Sequence, residues 1–194
     1  RINKLKFPED SEVHTIYENS FYSTSLEYFY IPPKLRELRG LWYNQTYKLK
    51  KIEVSPLNKN FLMKFDQLLL GKSDPKSDKF DVLVCEIGQK SEVRIPSNIK
   101  IISSCAFYKN IKLTKVKIPT NSELISIENQ AFYQNKSLEK IIIQTSVTSI
   151  GYSAFYNCPS LKKVINNSST QKTESYSFAN CRSLKEISFS SSIS

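Results

Sequence analysis

The chain has 194 residues, of which 40% are hydrophobic and 12% aromatic, and 28 Lys and Arg against 18 Asp and Glu give it a formal net charge of +10. No apolar run approaches the roughly 20 residues that a membrane-spanning helix needs. With one histidine, His14, and four glycines, the sequence contains neither a phosphate-binding loop nor the usual acid–base pairing of an active site.

The N-terminal part of the chain repeats one frame of apolar residues. Leu5 and Phe7 end a first repeat, and the next two repeats place apolar or aromatic residues at matching offsets: Val13, Ile16, Phe21, Leu26, Phe29 and Ile31, then Leu35, Leu38, Trp42, Tyr43, Leu49, Ile52 and Val54. Each repeat ends in the alternation typical of a strand with one buried face. We therefore predict one short outward-facing strand per repeat.

Residues 55–96 form an irregular repeat that contains an insertion. Two apolar runs, at 67–70 and 80–84, are separated by the turn-forming residues 71–79. The pattern predicts a β-hairpin with a polar tip.

The C-terminal half shows the repeat most clearly. Ala-Phe or Ser-Phe pairs return every 23 to 25 residues, at Ala106-Phe107, Ala131-Phe132, Ala154-Phe155 and Ser177-Phe178. A period of this length indicates stacked units that bury their apolar faces against each other. We predict a single solenoid over residues 1–194, with a parallel sheet on one face and short strands or helical turns on the other. Because the chain starts at Arg1 and has no polar cap at either end, we expect it to be a fragment of a longer protein.

The sheet face carries the candidate binding residues. On each predicted strand the two residues that flank the middle aliphatic point outward, which selects Tyr28, Tyr30, Lys51, Arg94, Lys115, Lys117, Lys140, Ile142, Lys163 and Ile165. Lys115, Lys140 and Lys163 are predicted to stand in one column. This column suits an acidic protein surface, but lysines also keep an open sheet face soluble and block edge pairing.

The cysteines and sequons bear on the cellular compartment. Cys158 and Cys181 hold the same place in adjacent repeats, which favours stacked buried thiols and leaves a disulfide as the alternative, while Cys85 and Cys105 show no periodic relation. Four sequons would be glycosylation sites in a secreted protein: Asn44, Asn135, Asn166 and Asn167.

The sequence does not favour catalysis, metal binding or nucleic-acid binding. His14 lies on the exposed side of the frame, and one His with four scattered Cys gives no zinc spacing. Most aromatic residues are explained by the repeat itself, including Tyr108, Tyr133 and Tyr156, each of which directly follows a core Phe. We predict no enzyme activity, no cofactor or metal, and no small-molecule substrate.

The repeat at 147–164 reads Val-x-x-Ile-Gly-x-x-Ala-Phe-x-x-Cys-x-x-Leu-x-x-Val and resembles the BspA-like leucine-rich repeat family. The insertion resembles the hairpin-bearing repeat of that family's protist members. The resemblance implies a right-handed solenoid that serves adhesion and protein binding at a cell surface, without catalytic residues. The alternative is an intracellular scaffold docking on an acidic polymer such as a microtubule, which suits reduced cysteines and a basic face.

Overall fold

The structure, a computed structural model, describes residues 2–43, 46, 48–166 and 172–189. This part of the chain contains short β-strands and no helix. The short strands that the prediction allowed on the second face are confirmed, whereas its alternative of helical turns, and with it the α component of the predicted α/β class, is not. Two compact units are present, Arg1–Gly88 and Gln89–Ser194. A single solenoid over residues 1–194 stays a prediction.

In the first unit two parallel sheets alternate along the chain. One sheet has the order β1-β3-β5 and the other pairs β2 with β4. The bounds of the strands are β1 Lys4–Lys6, β2 Thr15–Ile16, β3 Tyr28–Ile31, β4 Glu37–Leu38 and β5 Lys51–Val54.

The predicted hairpin is confirmed and is larger than expected. β7 (Leu68–Gly71) pairs antiparallel with β8 (Val82–Glu86), and β6 (Leu62–Lys64) adds a third antiparallel strand on the other side of β7. The Asp81 carboxylate accepts hydrogen bonds from the amide and hydroxyl of Ser73, at 2.9 and 2.8 Å, and so holds the two ends of the tip together. β6 was not predicted from the sequence because the turn that joins it to β7 has Phe65 and Asp66 at positive φ. Gly or Asn at these positions would have indicated a hairpin turn.

The second unit repeats the same alternation with greater regularity. Its outward sheet has the parallel order β9-β11-β13-β15-β17, and its second sheet includes the parallel order β10-β12-β14-β16. The strands are β9 Glu92–Arg94, β10 Ile101–Ile102, β11 Lys115–Lys117, β12 Ser126–Ile127, β13 Lys140–Ile143, β14 Ser149–Ile150, β15 Lys163–Asn166, β16 Lys172–Thr173 and β17 Glu186–Phe189.

A column of phenylalanine rings fills the core of the second unit. The rings of Phe107, Phe132, Phe155 and Phe178 stack with centroids 4.7, 5.0 and 5.1 Å apart and planes within 5°. The preceding Ala106, Ala131 and Ala154 are fully buried, which explains why this position stays small. The predicted core frame is therefore confirmed in this unit.

The repeats of the first unit have other residues in place of the Ala-Phe pair but keep the same register. Phe21 donates its amide to the Trp42 carbonyl at 2.9 Å, as Phe132 does to the Ala154 carbonyl at 2.7 Å. Trp42 thus occupies the small-residue position, yet it is only 1% exposed. Its ring is accommodated by tilted packing against Phe29 at 4.9 Å.

The turn around each core Phe is held by backbone bonds to the next repeat. In the repeat of Phe132, the amides of Gln130, Phe132 and Gln134 donate to carbonyls of the following repeat at 2.9, 2.7 and 2.8 Å. The residues two before and two after each core Phe of the second unit have positive φ: Cys105, Lys109, Gln130, Gln134, Ser153, Asn157, Tyr176 and Asn180. This left-handed backbone turns alternate amides toward the next repeat, and it is the reason why no helical turn forms.

A second column, three residues after the core Phe, donates hydrogen bonds to the core Phe carbonyls of the preceding repeats. Asn135 donates to the Phe107 carbonyl at 2.8 Å, and the thiols of Cys158 and Cys181 donate to the carbonyls of Phe132 and Phe155 at 3.2 Å. The prediction of stacked buried thiols is confirmed, since all four cysteines are free and buried. The contact with Cys181 and burial raise the pKa of the Cys158 thiol, and burial raises that of Cys105 to about 12, so neither is a ready nucleophile.

Replacing a stacked ring tests this core. We expect Phe132→Ala to lower the free energy of unfolding by about 3 to 5 kcal/mol, because it removes a fully buried ring between two others. Urea denaturation measures this change. The exposed Ile111 is the control, and Ile111→Ala should stay within about 0.5 kcal/mol of wild type. Equal effects at the two sites would contradict the register.

The left-handed turn predicts a position where glycine is more stable than alanine. The φ of Gln134 is 55°, a left-handed conformation that costs a residue with a side chain roughly 1 to 2 kcal/mol and costs glycine nothing. Against this, glycine loses more conformational entropy on folding, which costs about 0.5 to 1 kcal/mol of stability. We therefore expect Gln134→Gly to be about 0.5 to 1 kcal/mol more stable than the matched variant Gln134→Ala. A glycine variant less stable than the alanine variant would refute the backbone geometry.

Candidate protein-binding surface

The outward sheet of the second unit brings three lysines into one column, the basic ladder, defined as Lys115, Lys140 and Lys163. Lys115 lies opposite Lys140 in the pairing of β11 with β13, and Lys140 lies opposite Lys163 in the pairing of β13 with β15. Parallel strands lie about 4.8 Å apart, so the side chains of the ladder are close neighbours. Glu92 and Glu186 occupy the same column on the outer strands β9 and β17.

Ion pairs neutralise the ends of this face and leave its middle unpaired. Lys163 pairs with Glu186 at 2.9 Å and Lys117 with Glu92 at 3.0 Å. The hydrogen bond from Lys117 lowers the pKa of the Glu92 carboxyl. Within the described residues, Lys115, Lys140 and the neighbouring Arg94 form no ion pair, although the charge of Lys115 also helps to lower the pKa of Glu92. The free positive charge of the face is therefore concentrated on Lys115 and Lys140 of the inner strands and on Arg94 of the outer strand β9.

An apolar pair borders the basic ladder. Ile142 lies opposite Ile165 in the pairing of β13 with β15, one outward position along each strand from the lysines. Ile142 is 36% exposed and Ile165 is half-buried. The face thus combines unpaired positive charge with accessible apolar area, as protein interfaces do.

The outward face of the first unit has a different chemistry. Tyr28 pairs with Lys51 across β3 and β5, and the ammonium groups of Lys4 and Lys51 lie 4.9 and 5.8 Å from the centre of the Tyr28 ring. The Tyr28 hydroxyl donates to Glu53 at 3.0 Å, and Lys51 pairs with Glu53 at 3.5 Å. The charges of this cluster are largely satisfied by its own members.

Tyr30 is not part of an exposed face, and its prediction as an outward residue is wrong. The side chain is only 3% exposed. Its hydroxyl donates to Glu9, whose second carboxylate oxygen accepts a hydrogen bond from the Ser55 hydroxyl at 3.0 Å. The segment after β1 therefore covers a position that strand alternation alone would expose.

Hydrogen bonding in the Tyr28 cluster shifts two pKa values. Burial, together with the bond to Glu53, raises the pKa of Tyr28 to about 12. The Tyr28 hydroxyl in turn lowers the pKa of the Glu53 carboxyl, with a smaller contribution from Lys51. The two groups stabilise each other in their neutral and charged forms respectively.

Two of the four predicted glycosylation sites are not accessible. Asn135 and Asn166 are buried, and the Asn135 amide is used inside the core, so a glycan at either position would meet packed protein. These two predictions are wrong for the folded chain. Asn44 and Asn167 lie outside the described residues.

The remaining predictions concern chemistry. His14 is exposed, as predicted. In the described part of the chain no three His, Cys, Asp or Glu side chains cluster as metal ligands would. The same part holds no helix with the length and apolar character of a membrane span.

A groove lined by tyrosines was missed by the sequence interpretation. The rings of Tyr108, Tyr133 and Tyr156 stack at 5.0 and 5.2 Å, as their regular spacing suggested. Beside this column lie Tyr152 and Tyr176, whose rings meet edge to face at 5.9 Å. The space between, of about 360 Å³, is the tyrosine groove, lined by Gln130, Tyr133, Tyr152, Ser153, Tyr156 and Tyr176. Tyr152 and Tyr176 share no offset in their repeats, so periodicity could not link them.

The repeat geometry agrees with the comparisons to known proteins. Residues 1–64 and 85–194 match the BspA type leucine rich repeat region in 6 copies. The chain belongs to this family. The resemblance inferred from the repeat at 147–164 is thereby confirmed, and leucine-rich repeat proteins of this kind are in general protein-interaction modules without catalytic activity. No curated protein matches the chain.

Several solved structures share the fold of this BspA-type chain. A leucine-rich repeat protein from Eubacterium ventriosum has 26% identity and a TM-score of 0.80 over 96% of this chain and 48% of its own. The pneumococcal vaccine antigen PcpA has 24% identity and a TM-score of 0.73 over 97% and 51%. A leucine rich cell surface protein from Faecalibacterium prausnitzii has 21% identity and a TM-score of 0.67 over 93% and 52%. The chain spans about half the length of each.

The Tyr28 cluster gives a prediction about pH. Tyr28→Phe removes the hydroxyl that chiefly lowers the pKa of Glu53, so we expect that pKa to rise toward its ordinary value. A depressed carboxyl pKa stabilises the fold above the unfolded pKa, and this contribution disappears as the pH falls through the folded value. The variant should therefore lose stability relative to wild type at neutral pH and not in strong acid.

NMR titration of the Glu53 carboxyl measures the shift directly. Tyr22→Phe is the control, because Tyr22 is an exposed tyrosine that makes no hydrogen bond to Glu53. An unchanged Glu53 pKa in Tyr28→Phe would show that the hydrogen bond does not form in solution.

Proposed function

We propose that this BspA-type chain is a non-enzymatic binding module whose basic ladder holds an acidic surface of another protein. The observation that supports this most is the pair Lys115 and Lys140, which face outward on adjacent strands and have no ion-pair partner within the described residues. Elsewhere on the same sheet, lysines are matched by Glu92 and Glu186.

The electrostatic repulsion within the basic ladder favours a role in binding a partner over a role in keeping the sheet face soluble. Two unit charges at about 4 Å repel by roughly 1 kcal/mol in bulk water and more near a protein surface. Glutamate at position 140, between Lys115 and Lys163, would remove this repulsion and remain equally soluble. The ladder also lies on the three inner strands of its five-stranded sheet, so it does not protect an open edge. Carboxylates of a partner would turn the repulsion into attraction.

The apolar pair beside the ladder supports a protein as partner. Ile142 and Ile165 offer area that a protein surface can cover, whereas a purely electrostatic ligand would leave it in water. Arg94 extends the positive face onto the neighbouring strand β9, and Lys117, which pairs with Glu92, lies beside it on β11. The proposed contact surface therefore comprises the basic ladder, Arg94, Lys117 and the two isoleucines.

We place this module at a cell surface, in adhesion or contact with a host or matrix protein. Two proteins of the same fold motivate this location, one described as a cell surface protein and the other as a vaccine antigen. The four free and buried cysteines favour the alternative of an intracellular scaffold docking on an acidic polymer such as a microtubule. Antibody labelling of intact and permeabilised source cells distinguishes the two locations.

Charge reversal tests the contact surface. We expect the triple variant Lys115→Glu, Lys140→Glu, Lys163→Glu to abolish binding to the acidic partner. The fold should be kept because these side chains lie on the surface, with a modest fall in the thermal midpoint because the new carboxylates join Glu92 and Glu186 in one column. Partners would be recovered by cross-linking at the cell surface and measured by titration calorimetry, and co-sedimentation with microtubules tests the alternative.

The matched control reverses three exposed lysines of the first unit, Lys59, Lys76 and Lys79, and so changes the net charge equally. The control should retain most of the affinity. Undiminished binding of the ladder variant, or an equal loss in both variants, would show that the ladder is not the contact.

A further inference from the structure

The tyrosine groove arises where the last repeats depart from the regular pattern. Tyr108, Tyr133 and Tyr156 follow successive core phenylalanines, but Ala179 follows Phe178. The stacked column therefore ends at Tyr156, and no ring among the described residues covers its far side. In the same repeat an aromatic residue, Tyr176, appears two positions before the Phe, where the preceding repeat has Ser153.

With Ala179 in place of a fourth stacked tyrosine and Tyr176 in place of a serine, the last repeats leave a concave surface among the tyrosine rings. Tyr133 and Tyr156 of the stacked column line it together with Tyr152 and Tyr176, which are 43% and 61% exposed. In an edge-to-face pair at 5.9 Å, the ring that donates its edge keeps its faces free. The groove thus offers aromatic faces to solvent as well as ring edges and hydroxyl groups.

The backbone beneath the groove is held in place by bonds between repeats. Gln130 donates its amide to the Tyr152 carbonyl at 2.9 Å, and Ser153 donates to the Ser175 carbonyl at 3.1 Å. The Tyr133 and Tyr156 rings are fixed by stacking, with an angle of 10° between their planes. A ligand would therefore freeze little additional motion on binding.

The groove is neutral in a chain of strong positive charge. None of its six lining residues is charged at neutral pH, whereas the whole chain carries +10. Its accessible polar groups are the phenol hydroxyls and the Gln130 side-chain amide, whose carbonyl already accepts a hydrogen bond from the Cys105 thiol at 3.6 Å, whereas Ser153 is only 4% exposed. The hydroxyl of Tyr156 already accepts a hydrogen bond from Asn180 at 2.9 Å, which leaves its proton for a ligand. These groups suit an uncharged ligand that is rich in hydroxyls and has apolar faces.

We propose that the tyrosine groove is a binding site for a neutral carbohydrate. The C–H faces of a sugar ring pack on the exposed tyrosine faces, and its hydroxyls exchange hydrogen bonds with the Gln130 amide and the phenols. A proline-rich peptide fits less well, because it inserts proline rings between aromatic rings. The Tyr133 and Tyr156 rings are in stacking contact at 5.2 Å and leave no such slot.

An array of immobilised neutral oligosaccharides of glucose, mannose, galactose and N-acetylglucosamine tests the site on the whole chain. We expect binding to at least one of these classes, unchanged by added salt. Tyr176→Ala should weaken it about tenfold or more, and Tyr176→Phe, which keeps the ring, only a few-fold. Tyr22→Ala, at an exposed tyrosine of the first unit, is the control and should bind as wild type.

Three results would overturn the proposal. They are the absence of binding to every neutral glycan by the wild-type chain, binding that Tyr176→Ala leaves intact, and binding only to acidic glycans that salt abolishes. Because Tyr176 is exposed and loses only its edge contact with Tyr152, the thermal midpoint of Tyr176→Ala should stay close to that of wild type, which separates lost binding from unfolding. The basic ladder is untouched by these variants, so the outcome is independent of the proposed protein contact.

Discussion

The structure depends on the backbone hydrogen bonds that join the turn of one repeat to the turn of the next. In the second unit the amides two before, at and two after the core Phe donate to the following repeat, at distances of 2.7 to 3.1 Å. These bonds fix the offset between repeats. With that offset fixed, the Phe rings meet face to face and every outward strand keeps its register. The basic ladder is a direct consequence, because an offset of one residue would turn its lysines into the core.

The repeat could be predicted from the sequence because its apolar offsets recur together. The strands, the core column of Phe132 and its neighbours, and the hairpin all follow from alternation and spacing. The turns could not be predicted, because left-handed residues are usually recognised as Gly or Asn, and here Gln130, Gln134 and Ser153 take that conformation. Their strain is compensated by bonds to the next repeat, which no local pattern reveals.

The binding face was predictable in part because residues alternate between the two faces of each strand. Strand alternation correctly placed Lys115, Lys140 and Lys163 in one outward column. It failed for Tyr30, which is covered by the segment carrying Glu9. The sequon at Asn135 failed as a predictor of an accessible site, because that side chain donates to a core carbonyl. The ion pairs of Lys117 and Lys163 also depend on neighbours in other repeats. Periodicity therefore gives the orientation of a side chain in a strand but not what another segment places over it.

Hydrogen exchange tests the dependence on inter-repeat bonds most directly. The amides of Gln130, Phe132 and Gln134 lie in a turn between strands, where exchange is ordinarily fast, but each is bonded to the next repeat. We predict that they exchange as slowly as the amide of Ile141 in strand β13 and in the same cooperative opening. Exchange at the rate of the exposed hairpin tip around Asp78 would contradict the account, because the register of the core and of the basic ladder would then have no common support.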